Sequence, residues 1–278
     1  MEEKLNFMRI VITGTDGFIG KNLFNELTDK NDILEINQNI FDSQDWVKEL
    51  YNKLNSFGPE VVFHIGACSD TLETDVNYMM LSNYLFTQKL SDWCSIYSCK
   101  MIYSSSAANY GVNGEYPSNL YGWSKFAAEH YVLKNNGIAL RYFNVYGSDE
   151  SHKGRMASVA FQMMENHKKG IEVKLFPLNP TRDFVYIKDV ILANIYALEH
   201  YDKLKSNWYD VGFGESRNFE DVMNILNIPF SYHNQNSIPS GYQFYTCSNK
   251  EKWMEGWKPK YNLEDGLNEY KSYQIYHH

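Results

Sequence analysis

Short apolar runs alternate with longer amphipathic stretches through the first half of the chain. The apolar runs have the length of strands, and the stretches between them repeat apolar positions every three or four residues, as helices do. Strands are predicted at RIVITG, DILEIN, EVVFHIGA, KMIYSSSA and GIALRYFNVYG. Helices are predicted at IGKNLFNELTDK, SQDWVKELYNKL, YMMLSNYLFTQKLSDWCSIY and YGWSKFAAEHYVLK. Repeated strand and helix units of this kind predict an α/β protein with a doubly wound parallel sheet.

The pattern changes beyond Gly147, where polar loops, many aromatic residues and five of the seven prolines follow. A smaller and less regular C-terminal lobe is therefore predicted. We expect a first domain over residues 1–147 and a lobe formed mainly by residues 148–278. The runs RDFVYIKDVILANIYALEH and NWYDVGFG still have the patterns of a helix and a strand. The chain is thus expected to return to the main sheet within residues 183–213.

Composition and charge narrow the class of protein. Of 278 residues, 44% are hydrophobic and 22% are charged, which is typical of a soluble globular protein. No apolar run reaches the length of roughly 18 residues that crosses a bilayer, so no membrane partner is expected. The net charge of −8 argues against nucleic acid as a partner. The four cysteines have no metal-ligand spacing, so no metal site is expected, and an acidic N-terminus unlike a secretory signal predicts a cytoplasmic location.

The run GTDGFIG follows the first predicted strand and precedes the first predicted helix, which is expected to begin at Lys21. Gly14, Gly17 and Gly20 are spaced three residues apart. Glycines there allow a tight turn, close approach of backbone to a pyrophosphate, and contact between helix and strand. The N-terminus of the helix then offers N–H groups to the phosphates. The sequence therefore predicts a Rossmann-like fold that binds a dinucleotide.

The second predicted strand ends at Asn37, where dinucleotide-binding proteins specific for NAD carry a carboxylate. A neutral side chain would not repel the 2′-phosphate that distinguishes NADP from NAD, and therefore favours NADP. No arginine stands nearby to bind that phosphate, so NAD stays open as the alternative cofactor.

Tyr121 and Lys125 lie four positions apart in YGWSK, which places both on one face of the predicted helix. An ammonium and a nicotinamide cation beside a tyrosine would favour its phenolate, which could then exchange a proton near neutral pH. Tyrosine-lysine pairs also occur on ordinary surfaces. The run YSSSAANYG, after the fourth predicted strand, places hydroxyls at the carboxyl end of the sheet, where open α/β sheets bind ligands.

GTDGFIG, SSSA and YGWSK, in this order and at these separations, resemble the extended short-chain dehydrogenase/reductase family, whose members act on nucleotide sugars. The resemblance covers nearly the whole chain. It is sharper in FHIGACSDTLETDVNYMMLSNY, RYFNVYG, HKGRMASVAF and RDFVYIKDV. These runs are similar to those of family members that epimerise a nucleotide-activated heptose.

The resemblance implies roles for individual residues. The implied cofactor-binding residues are Gly14, Gly17, Phe18, Ile19, Gly20, Asn37, Ala67, Asn83 and Lys125. The implied catalytic residues are Tyr121, Lys125, Ser106 and Lys153. The implied substrate-binding residues are Ser69, Asn144, His152, Arg155, Arg182 and Tyr242. Alone, Lys153 would be read as a solvated loop lysine, and the two arginines as partners in surface ion pairs.

The implied activity is inversion of the sugar carbon C6″ by transient oxidation and re-reduction, with Tyr121 and Lys153 as two acid-base groups on opposite sides. The implied partner is a nucleotide-diphosphate sugar, and a homo-oligomer is expected. A 4-epimerase or a 4-keto-sugar reductase is the alternative, because Ser106, Tyr121 and Lys125 would serve either. A 4,6-dehydratase is disfavoured, since Ala107 and Ala108 stand where that reaction needs an Asp-Glu pair. A non-catalytic dinucleotide sensor would have no need of the tyrosine and lysine.

Overall fold

The computed structural model describes residues 7–112, 114–237 and 242–276 of the chain. The strands, in chain order, are β1 (Arg9–Thr13), β2 (Asp32–Ile36), β3 (Val61–His64), β4 (Lys100–Ser106), β5 (Ile138–Tyr142), β6 (Asn144–Tyr146), β7 (Lys174–Leu175), β8 (Thr181–Tyr186), β9 (Asn207–Val211), β10 (Ser216–Asn218) and β11 (Ser231–Tyr232). The α-helices are α1 (Phe18–Leu27), α2 (Trp46–Phe57), α3 (Val76–Met80), α4 (Phe86–Ile96), α5 (Leu120–Lys134), α6 (Val159–Lys168), α7 (Ile187–Glu199), α8 (Tyr201–Leu204), α9 (Phe219–Leu226) and α10 (Leu263–Tyr276).

The central sheet of the described chain has six strands in the order β2-β1-β3-β4-β5-β9. Every neighbouring pair in it is parallel. The chain leaves β1 toward β2 and then crosses to β3 on the other side of β1, so the strand order reverses there. Ligands of open α/β sheets bind beside the carboxyl ends of strands at such a reversal. The α/β, Rossmann-like fold expected from the sequence is confirmed.

Helices cover both faces of this sheet because strand side chains alternate between the faces and both sets are apolar. Ile10 and Ile12 of β1 face a core that α1 and α7 complete. Val11 faces the opposite core, which α2, α4 and α5 complete. These three side chains are almost entirely buried, which is the pattern of a central strand in a doubly wound sheet.

The second half of the chain forms smaller sheets and then rejoins the first. Strands β10, β8 and β6 form a three-stranded sheet, and β11 pairs with β7. The chain enters the central sheet again at β9, beside β5. The buried carboxylate of Asp183 joins these parts, because it accepts hydrogen bonds from the backbone N–H groups of Phe213, Gly214 and Ser248. Within the described ranges, none of the helices combines the length and the apolar character needed to cross a membrane.

Two helix boundaries differ from the sequence expectation. Helix α1 begins at Phe18 rather than Lys21, because the backbone turns into the helix directly after Gly17. The long helix expected across YMMLSNYLFTQKLSDWCSIY is interrupted by a π-helical turn at Leu81–Leu85. A π-helical turn holds one residue more than an α-helical turn, a difference too small to detect in the spacing of hydrophobic residues.

Candidate active site

A cavity of about 590 Å³ opens at the carboxyl edge of the central sheet. Thirteen of the residues that the sequence singled out line it: Gly14, Gly17, Phe18, Ile19, Gly20, Asn37, Ala67, Ser69, Ser106, Tyr121, Lys125, Asn144 and Lys153. They come from seven separate segments of the chain. The fold thus brings the glycine-rich turn and the candidate acid-base groups to the walls of one cavity.

The glycine-rich turn is packed too closely to admit side chains. A Cβ atom on Gly20 would lie 2.1 Å from the carbonyl oxygen of Gly14, and one on Gly14 would lie 2.3 Å from the Cα of Gly66. Gly14 also has a φ of 72°, in the left-handed region that favours glycine. Since the first N–H groups of a helix have no partner within it, the start of α1 presents free donors to the cavity. This cradle fits the pyrophosphate of a dinucleotide.

The end of β2 carries a polar cluster beside the turn. The amide of Asn37 donates a hydrogen bond of 2.9 Å to the hydroxyl of Thr15. That hydroxyl also donates to the carboxylate of Glu35. Thr15 is buried, whereas Glu35 is exposed. The cluster therefore brings a full negative charge next to the residue that the sequence identified as the cofactor discriminator.

Tyr121 lies in the first turn of α5, which Asn119 caps by accepting a hydrogen bond from the N–H of Gly122. Burial raises the pKa of Tyr121 above its usual value, and a hydrogen bond with Ser106 opposes this rise. The sequence argument expected the phenolate to be favoured when an ammonium and a nicotinamide cation both lie beside the tyrosine. In the protein alone, desolvation dominates, and the tyrosine remains protonated at neutral pH.

Lys125 is almost fully buried one turn further along α5. Its amine lies 4.6 Å from the ring centroid of Tyr103. Burial lowers the pKa of Lys125 from 10.5 to about 7, against the attraction of Glu129. Burial thus makes the proton of this amine easier to release near neutral pH, which suits a group that takes part in proton exchange.

Asn83 does not line the cavity, but its side chain holds together two segments that do. Its side chain is completely buried, in the π-helical turn. It accepts a hydrogen bond from the N–H of Cys68 and donates to the carbonyl oxygen of that residue, at 2.8 and 3.0 Å. It also donates to the hydroxyl of Ser124 at 2.9 Å. Asn83 thereby joins the strand end that follows β3 to the helix that carries Tyr121.

A buried ion pair holds the end of β4 in place. Glu129 of α5 and Arg141 of β5 make two hydrogen bonds, of 2.6 and 2.9 Å. Glu129 also accepts from the hydroxyl of Ser105 at 2.6 Å and from Asn109 at 3.0 Å. Because Ser105 precedes Ser106, this network fixes the backbone that presents the candidate hydroxyl. A lone glutamate in the middle of a helix gives no sequence signal of such a role.

Lys153 projects into the cavity from a segment of 3₁₀ turns at Ser151–Met156, which is kinked at Gly154. Its amine lies 3.7 Å from the carboxylate of Glu150 and 4.8 Å from the ring centroid of Phe18. Burial lowers the pKa of Lys153, while Glu150 raises it. The interpretation as a solvated loop lysine does not fit this position, because only 20% of its side chain is exposed.

The remaining predicted substrate residues are placed differently. His152 is exposed and is not among the residues that line the cavity, since the loop turns its neighbour Lys153 inward. The side chain of Arg155 lies outside the described part of the structure. Arg182 is nearly buried, with its guanidinium 5.6 Å from the ring centroid of Phe219 and 5.3 Å from that of Tyr242. Phe219 lines the cavity, so this stack reaches its rim.

The fold and this cavity define a dinucleotide-binding enzyme of the Rossmann type. The chain belongs to the NAD dependent epimerase/dehydratase family, whose model matches residues 10–212. This match confirms the resemblance to the extended short-chain dehydrogenases/reductases that the sequence motifs indicated.

Two heptose epimerases and one 4-epimerase are similar to this chain over nearly its whole length. The chain is 34% identical to an ADP-L-glycero-D-manno-heptose-6-epimerase of Brachyspira hyodysenteriae, over 94% of this chain and 96% of that protein. Its structure is similar to that of the Helicobacter pylori ADP-L-glycero-D-manno-heptose-6-epimerase, with a TM-score of 0.84, 29% identity and 98% of both chains covered. A UDP-glucose 4-epimerase of Thermotoga maritima, solved with UDP-glucose, superimposes with a TM-score of 0.83 at 25% identity, over 96% of this chain and 100% of that one.

Proposed function

We propose that the protein is an ADP-glycero-manno-heptose 6-epimerase, which inverts C6″ of a nucleotide-activated heptose. The observation that carries this proposal is that Lys153 and Tyr121, from separate lobes of the sequence, line the same cavity. A second acid-base group on another side of the carbon suits an inversion, because one angle of attack does not serve both configurations of the hydroxyl equally well. The similarity to two heptose epimerases supports the same substrate class.

The cofactor would be held by the turn at Gly14–Gly20 and, at its other end, by Lys125. When bound, the nicotinamide supplies a hydride acceptor and donor for the sugar carbon. Tyr121 exchanges the proton of the sugar hydroxyl in one configuration, with Ser106 donating a hydrogen bond to the same oxygen. Lys153 exchanges the proton in the opposite configuration. Arg182 offers a guanidinium for the diphosphate of the substrate.

The choice between NADP and NAD depends on the polar cluster at the end of β2. Asn37 is neutral and on that ground favours NADP, but Glu35 brings a carboxylate to the hydroxyl of Thr15, which Asn37 also contacts. The lysines that line the cavity are engaged elsewhere, Lys125 over Tyr103 and Lys153 with Glu150. A carboxylate repels a 2′-phosphate, so we infer that NAD is bound in preference to NADP.

A cytoplasmic location and a homo-oligomeric assembly belong to the same proposal. The cysteines at positions 68, 94, 99 and 247 are all free thiols. Free thiols persist in a reducing compartment, which supports the cytoplasm. The assembly rests on the family resemblance alone.

The proposal is tested by incubating the purified protein with ADP-D-glycero-D-manno-heptose and following the configuration at C6″ by NMR. Interconversion of the two C6″ epimers, without net accumulation of reduced cofactor, is expected. A UDP-hexose inverted at C4 in a parallel reaction, with the heptose unchanged, would establish the 4-epimerase alternative. Consumption of reduced cofactor with a 4-keto sugar would establish the reductase alternative.

A further inference from the structure

Glu150 is a completely buried carboxylate that the proposed chemistry leaves without a role. It lies three residues before Lys153, on the loop that connects β6 to α6. A buried carboxylate is costly unless it is fully hydrogen-bonded or paired, so its contacts indicate what it holds.

Glu150 closes its own loop by hydrogen bonds to both ends. Its carboxylate accepts from the N–H of Gly147 at 3.0 Å and from the N–H and the hydroxyl of Ser158 at 2.6 and 2.8 Å. Its carbonyl oxygen accepts from the N–H of Lys153 at 2.9 Å. Gly147 directly follows β6, and Ser158 caps α6. The carboxylate therefore fixes the two ends of the loop relative to each other.

The same carboxylate contacts the amine of Lys153, at 3.7 Å. On its other side the amine lies against the ring of Phe18, the first residue of α1. The loop is attached to α1 by two further contacts, an ion pair of 3.2 Å between Lys21 and Asp149 and a hydrogen bond from Asn22 to the carbonyl oxygen of Ser148. The amine is thus located between a carboxylate of its own loop and the helix that follows the glycine turn.

We propose that Glu150 is a positioning residue, whose buried carboxylate holds the amine of Lys153 at the wall of the cavity and stabilises its protonated form. This inference rests on the proposed function, in which Lys153 is the second acid-base group. Glu150 does not line the cavity, so it acts through Lys153 and not on the sugar itself. Of the described titratable groups, the Lys21–Asp149 pair joins the same loop to α1, His152 is the exposed neighbour of Lys153 in sequence, and Tyr121 and Lys125 line the same cavity.

The test compares Glu150→Gln with Asp149→Asn, a matched change of carboxylate to amide at the neighbouring position. The side chain of Asp149 is 28% exposed and pairs with a half-exposed lysine, so that its charge is screened by solvent. Turnover of ADP-D-glycero-D-manno-heptose is measured from pH 6 to 10, together with the substrate KM, the affinity for NADH by fluorescence, and the thermal midpoint.

We expect Glu150→Gln to lower kcat about 10- to 100-fold through misplacement of the amine, with KM and NADH affinity little changed. Without its carboxylate partner the ammonium is less stable, so the limb of the pH profile that Lys153 controls should move to lower pH. Asp149→Asn should leave this limb in place. Equal profiles for Glu150→Gln and the wild type would overturn the inference.

A double-mutant cycle separates positioning from a general loss of folding. If Glu150 acts through Lys153, Glu150→Gln should cause no further loss of kcat in a Lys153→Met background. A loss of equal size in both backgrounds would show that the role is only structural. If Glu150→Gln melts below the assay temperature, Glu150→Asp replaces it in the cycle. A wild type that does not invert C6″ refutes the proposed function, whereas an active wild type with an unchanged Glu150→Gln profile refutes this inference alone.

Discussion

The amide of Asn83 donates a hydrogen bond of 2.9 Å to the hydroxyl of Ser124, which lies between Tyr121 and Lys125 in α5. The hydroxyl of Ser124 in turn donates to the carbonyl oxygen of Tyr121 at 2.7 Å. This chain of contacts links the π-helical turn to the first turn of α5. The family resemblance implied that Asn83 binds the cofactor, and its burial instead supports a role in holding the residues that line the cavity.

Asn83→Ala should destabilise the protein by about 1–3 kcal/mol, because it removes the partner of the N–H and of the carbonyl oxygen of Cys68 and one hydrogen bond of the buried Ser124 hydroxyl. Turnover should fall as well, since the helix that carries Tyr121 loses a fixed contact. Thermal unfolding and a turnover assay measure both effects. The exposed Asn39, replaced in the same way, provides the control and should change neither.

Tyr121→Phe should reduce turnover by about 100- to 10,000-fold, because the phenol is the proposed route for the hydroxyl proton. Binding of NADH, followed by its fluorescence, should change little, since the glycine turn is untouched. The control is Tyr131→Phe on the same helix. The hydroxyl that it removes donates a hydrogen bond to Asp92 and lies outside the proposed mechanism, so this variant should keep nearly full activity. Equal turnover of the two variants would remove Tyr121 from the mechanism.

Lys125→Met should make the protein without nucleotide more stable while abolishing its activity. Burial lowers the pKa of this lysine to about 7, so between about pH 7 and 10.5 the unfolded chain holds a proton that the folded chain has released. Stability therefore rises with pH across this window, and the cost of burying the charge is fully present below it. The gain in thermal midpoint should be greatest near pH 6 and vanish toward pH 10.5.

The exposed Lys134, in the last turn of the same helix, is the control for this prediction. Lys134→Met should give no gain that depends on pH. A loss of stability in Lys125→Met at pH 6 would mean that packing against Tyr103, rather than charge burial, dominates at this position.

Glu35→Gln should improve the affinity for NADP relative to NAD by about 5- to 10-fold, since one unit charge near a phosphate costs about 1 kcal/mol at a solvated site. Titration of the protein with each reduced cofactor, followed by fluorescence, gives the ratio directly. The effect should shrink at high salt. Glu26→Gln, an exposed change on α1, should leave the ratio as it is. A wild type that prefers NADP would contradict the inference.

The sequence predicted the central sheet and much of the cavity for clear physical reasons. Strands with two buried faces and the glycine turn leave local patterns, as in β1 and GTDGFIG. Tyr121 and Lys125 could be placed on one face because helix geometry fixes residues four positions apart.

Contacts between distant segments left no such pattern. The sequence did not reveal Glu129 beneath Ser105, Glu150 beside Lys153 or Glu35 beside Thr15, because each pairing is created by the tertiary fold. The sequence also did not reveal how burial raises the pKa of Tyr121 in the protein alone, since desolvation depends on everything packed around the ring. The spacing of residues in the sequence shows which side chains are neighbours within one helix or strand. Charged groups that come together from different helices, strands or loops are found only from the structure.

The most direct test of the central claim is to run the C6″ inversion in D₂O and determine the hydrogen isotope at C6″ of the inverted product by NMR. Transfer of the hydride to the bound cofactor and back to the same carbon predicts that the inverted product retains protium at C6″, because this hydride does not exchange with solvent. Deuterium at C6″ of the inverted product would mean that the carbon loses a proton to solvent, which would contradict the proposed mechanism.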